Sequence, residues 1–61
     1  MQKLTKQQLA DLISGIGSCY LSSGGYDGDV ALVTLGTMMQ ALAKHIESSP
    51  METYEVPPVR D

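Results

Sequence analysis

An all-α fold, a helical hairpin of two antiparallel helices, is what this chain predicts, and three features predict it. Apolar residues recur at helical spacing from Val30 to Ile46. A helix-start signal sits at Leu4–Leu9, and a second periodic segment of similar length follows it. Between the two segments lies a run of small and turn-forming residues, Ser22 to Asp29. The expected helices run over about 6–22 and 29–48, with an extended or disordered tail over 50–61.

The first helix has the more specific start. Thr5 as N-cap and Gln8 three residues later form a capping box, in which each side chain satisfies the other's orphan backbone N–H. Leu4 before the cap and Leu9 at the fourth helical position form the accompanying hydrophobic staple. From there Leu9, Leu12, Ile13, Ile16, Cys19 and Tyr20 fall on one stripe, with the small residues Ala10, Ser14, Gly17 and Ser18 beside it. Gly15 and Gly17 each cost roughly 1 kcal/mol against alanine inside a helix. Two readings follow: close approach of a neighbouring backbone, or a local kink. Ser22-Ser23-Gly24-Gly25 is expected to end the helix, since glycine takes the left-handed conformation that closes orphan carbonyls.

A connection of three to five residues is then expected, with Asp27 or Asp29 capping the second helix. That helix places Ala31, Leu32, Leu35, Met38, Met39, Leu42 and Ile46 on one stripe, and Thr37, Gln40, Lys44 and Glu47 opposite. Lys44 and His45 suit the negative end of its dipole, and Pro50 disfavours helical geometry at Ser49. Residues 1–49 thus make one hairpin domain. In the tail, Pro57 and Pro58 enforce extended geometry, while Met51, Tyr54, Val56 and Val59 offer spaced apolar contacts for lying along a surface.

Two rods of this length cannot hide both stripes from water. A lone hairpin covers only the inner half of each, and the single cysteine forbids an intrachain disulfide as a staple. The expectation is therefore a homodimer pairing into a four-helix bundle, or a hairpin that completes its core on another protein. Its core and interface would be Leu9, Leu12, Ile13, Ile16 and Tyr20 from the first helix. The second would give Leu32, Leu35, Met38, Met39, Leu42 and Ile46. Met38-Met39 reads as core; an incompletely covered stripe would leave Met39 and Leu32 as a partner groove.

Charge and chemistry exclude more than they assign. The net charge is −3, with Lys3, Lys6, Lys44 and Arg60 dispersed, so no basic stripe exists for a phosphate backbone. Thr34, Thr37, Gln40 and Lys44 interrupt the longest apolar stretch, which is too short for a membrane span. Ile16-Gly17-Ser18-Cys19 has the small-residue look of a lipidation site, but Gln7, Gln8 and Asp11 break the apolar run a signal requires. A cytoplasmic, reducing setting fits the cysteine usage. One cysteine and one histidine make neither a metal cluster nor a nucleophile–base pair, so no cofactor, metal or enzymatic activity is expected. Cys19 reads as a small buried hydrophobe and His45 as a solvated or capping residue. Gly24–Asp29 precedes a helix, as an anion cradle does, but its aspartates repel phosphate and no lysine follows.

Leu4-Thr5-Lys6-Gln7-Gln8-Leu9-Ala10 resembles the opening of helix-turn-helix repressors. The resemblance covers seven residues and implies a turn followed by a recognition helix over Ile16–Ser23. The glycine such a turn wants falls at Gly15, one position late, and Ile16–Ser23 holds no Arg, Lys, Asn or Gln to read base edges.

By elimination the chain reads as a protein-binding module, an adaptor, regulator or inhibitor acting on an unidentified protein partner. Tyr26, Tyr54, Val56 and Arg60 are its candidate partner or ligand contacts. The alternative is an oligomer that sequesters a small molecule in an intersubunit pocket built from Tyr20, Tyr26, the glycine loop and Lys6 or Arg60. A DNA-binding regulator ranks third.

Overall fold

The structure, a computed structural model, describes residues 2–57 as strand, helix, helix, strand: β1 (Gln2–Thr5), α1 (Lys6–Asp27), α2 (Val30–Glu47) and β2 (Thr53–Val56). The antiparallel hairpin is present. The chain is not purely helical, because its two ends pair as an antiparallel ribbon in which Leu4 lies opposite Tyr54 and Thr5 opposite Thr53.

The capping box forms as its residues require. The Gln8 N–H donates to Thr5 Oγ1 at 3.1 Å, and the Thr5 N–H donates to Gln8 Oε1 at 3.0 Å. At the far end the helix outruns its expected stop at Gly24-Gly25 and continues to Asp27. Gly28 is the true terminator, at φ 69°, a conformation only glycine adopts freely. Its N–H and that of Asp29 both reach the Gly24 carbonyl. The connection is thus two residues long, Gly28-Asp29. Asp29 caps α2, its carboxylate accepting from the N–H groups of Ala31 (3.0 Å) and Leu32 (3.2 Å).

Gly24 belongs instead to the seam between the helices. Ala10, Gly17 and Gly24 recur every seven residues on α1, and Gly36 and Ala43 do so on α2; all five are buried. A Cβ added at Gly36 would lie 2.7 Å from the Gly17 carbonyl oxygen and 2.8 Å from Leu21 Cγ; one at Gly24 would lie 2.8 Å from Leu32 Cβ. Small residues therefore set how close the backbones come. Gly17 follows the close-approach reading, while Gly15 faces open space and α1 passes through it unbroken.

The ribbon closes the open end of the hairpin. Ala10, Ala43 and Ile46 form the buried cluster, with Leu9, Ile13 and Tyr54 packed against it. Lys6 ties the tail back: its N–H donates to the Glu52 carbonyl (3.0 Å), and its ammonium donates to the Ser49 carbonyl (3.1 Å) and pairs with the Glu52 carboxylate (3.8 Å). The described part of the tail, residues 50–57, thus carries the strand β2.

Candidate interaction surface

The seam divides the hairpin into two unlike faces. On one, Gln40 of α2 bridges to α1: its amide donates to the Ser14 carbonyl (2.7 Å) and Ser18 Oγ (3.0 Å), and its Oε1 accepts from Ser14 Oγ (3.2 Å). This polar latch fixes which flank of each helix is shared, since at 100° per residue Ser14, Ser18 and Gln40 all lie to one side of their seams. Leu9, Ile16 and Tyr20 of α1 and Leu32, Leu35, Met39, Leu42 and Ile46 of α2 then share the other side, with Leu12 and Met38 at its outer margins.

That second face is not covered by the described residues. Leu35 is 43% exposed, Met38 63% and Leu42 48%, and across the seam Leu12, Ile16 and Tyr20 are also open to solvent. At about 200 Å² for a residue of this size, the six expose roughly 550 Å². That total is near the upper end of the largest apolar patch a typical monomer exposes, and patches of that size are often functional.

The expected core residues thus split by position. Ile46 is buried; Leu9, Ile13, Leu32 and Met39 are half-buried against the hairpin's own seam or ribbon; the remaining six are open. Met38, read as core, is the most exposed of these. Cys19, expected as a small buried hydrophobe, is exposed, because the buried line of α1 runs through Ala10, Gly17 and Gly24 instead. His45 is exposed in the last turn of α2.

Of the candidate contacts, Tyr54 and Val56 are half-buried on the inward side of the ribbon, and Tyr26 stands 92% exposed beside the turn. Arg60 lies outside the described residues. Tyr20, Tyr26 and Lys6 do not converge: Lys6 is engaged at the open end, fourteen residues or about 21 Å along α1 from Tyr20. No cavity is found, and no group of three potential metal ligands occurs among the described residues. No turn interrupts α1 at Ser14-Gly15, where the repressor-like reading needs one. Among the described residues no helix is long and apolar enough to cross a membrane.

Two features eluded the sequence reading. The seven-residue spacing of Ala10, Gly17 and Gly24, matched by Gly36 and Ala43, was visible and marks the true seam. The ribbon had no comparable signal, since each strand is four residues long and its partner lies some fifty positions away. Comparison with known proteins returned no match among family models, curated proteins or solved structures.

Proposed function

We propose that this chain is a non-enzymatic protein-binding module, an adaptor, regulator or inhibitor, that works as a homodimer in which two hairpins complete a four-helix bundle. The observation that carries the reading is the face bearing Leu12, Ile16, Tyr20, Leu35, Met38 and Leu42. The closest part of the hairpin's own interface is glycine and alanine, and these six large side chains are left for something else to cover. Burying that surface is the main favourable term available to so small a chain. The same reading places the protein in the cytoplasm, where an exposed thiol such as Cys19 stays reduced.

Light scattering on the wild-type protein and on Leu35→Asp tests this. The wild type is expected at twice the chain's 6.5 kDa at micromolar concentration, and the variant at the monomer mass with reduced helicity. A wild-type monomer that keeps its full helicity, or a variant that associates unchanged, contradicts the proposal.

A further inference from the structure

We infer that the second copy seats on the apolar face head to tail, so that the ribbon of each hairpin lies over the turn end of the other. The inference rests on the dimeric reading above and adds its orientation.

The occupant follows from area and charge. The six open side chains already supply about two thirds of the ~800 Å² that each partner of a standard interface buries, before the half-buried Ile13, Leu32 and Met39 are counted. On this flank, from Leu9 to Tyr20 and from Val30 to Leu42, the chain carries no charged residue. An uncharged apolar surface meets a copy of itself without like-charge repulsion, whereas an anionic lipid surface calls for the basic flanks this face lacks.

The orientation follows from shape. Gly17 meets Gly36 and Met39, so the open stretch of α1, Leu12 to Tyr20, lies level with that of α2, Leu35 to Leu42, and both share a midpoint near Ile16 and Met39. The face is stepped about that midpoint. At the open end the ribbon rises over it: Tyr54 packs on the cluster containing Ile46, which is buried, whereas Leu42 one turn earlier on the same flank is 48% exposed. At the turn end Ala31 and Tyr26 are exposed. Face-to-face two-fold pairing has two forms. An axis along the helices sets ribbon against ribbon and holds the apolar surfaces apart. An axis across them sets each ribbon over the bare turn of its partner.

Electrostatics favours the same form. Among the described residues the turn end carries Asp27 and Asp29 and no basic residue, while Lys3, Lys6 and Lys44 all sit at the open end beside Glu47, Glu52 and Glu55. Pairing turn to turn would gather four carboxylates; head-to-tail pairing keeps the two acidic turns at opposite ends.

A spin-label distance reads the orientation. In a Cys19→Ser background, Tyr26→Cys puts a label at a 92% exposed position outside the patch. Ten residues, about 15 Å, separate that position from the midpoint, so head-to-tail pairing predicts a label separation of roughly 30–40 Å. A separation under about 20 Å overturns the orientation while leaving the dimer standing. No dipolar coupling, with a monomer mass, overturns self-pairing as well. As a second readout, Ile16→Cys in the same background is expected to cross-link to its own copy on mild oxidation, because position 16 lies beside the axis. A lack of cross-linked dimer counts against the geometry.

Discussion

Glycine plays opposite parts within one helix, and position alone decides which. Gly24 and Gly36 sit where an added methyl would strike neighbouring side-chain or backbone atoms at under 3 Å, so the helices would have to separate. Gly15 and Gly25 have nothing within 4 Å of an added Cβ. Gly36→Ala is therefore expected to destabilise by about 1–3 kcal/mol through overpacking. Gly15→Ala is expected to stabilise by up to about 1 kcal/mol through helix propensity. Urea unfolding of both variants checks the signs, and equal effects would mean the seam is not where the structure puts it. The residue scale also shows how a sequence misleads. Gly24-Gly25 reads as a helix stop because glycine both ends helices and lets them approach. Only its seven-residue spacing from Gly17 and Ala10 tells the two apart. Thr5 and Gln8 were legible, and Asp29 was one of two candidates, because a cap is a local bargain between a side chain and a backbone group a few residues away.

At the scale of elements, the helices were legible and the ribbon was not. α1 and α2 announce themselves by period, but β1 and β2 are four residues each and gain their partner only after the hairpin has brought the chain ends together. Tyr54 is the element's anchor, since it joins β2 to the cluster of Ala10, Ala43 and Ile46. Tyr54→Ala is expected to release the ribbon and cost about 1–2 kcal/mol, from the partial burial it gives up. Hydrogen exchange would show the amides of β1 and β2 losing protection while those along the α1–α2 seam keep theirs. Loss of protection throughout would make the ribbon part of a single cooperative unit with the helices. The Gln40 latch belongs to the same scale. By tying Ser14 and Ser18 to α2 it marks one face as finished, which leaves the other to define the molecule's outward business.

For the molecule as a whole, the sequence carried the surplus of apolar surface but not its location. Amphipathic period identified Leu35, Met38 and Leu42 as residues that need cover; it could not say that the hairpin would close on glycine and alanine and leave them outside. Cys19 is exposed for the same reason. The claim that this face is covered in solution has an internal control in two methionines. In the single chain Met38 is 63% exposed and Met51 54%, so by themselves they should oxidise at similar rates, Met38 slightly the faster. Met38 lies at the margin of the apolar face, whereas Met51 lies in the segment leading to β2. Peroxide oxidation of the wild-type protein at micromolar concentration, followed by peptide mass analysis, compares them directly. The account predicts Met38 oxidised several-fold more slowly than Met51, with the difference lost in Leu35→Asp. Equal rates, or a faster Met38, would show the face open to water and contradict action through association.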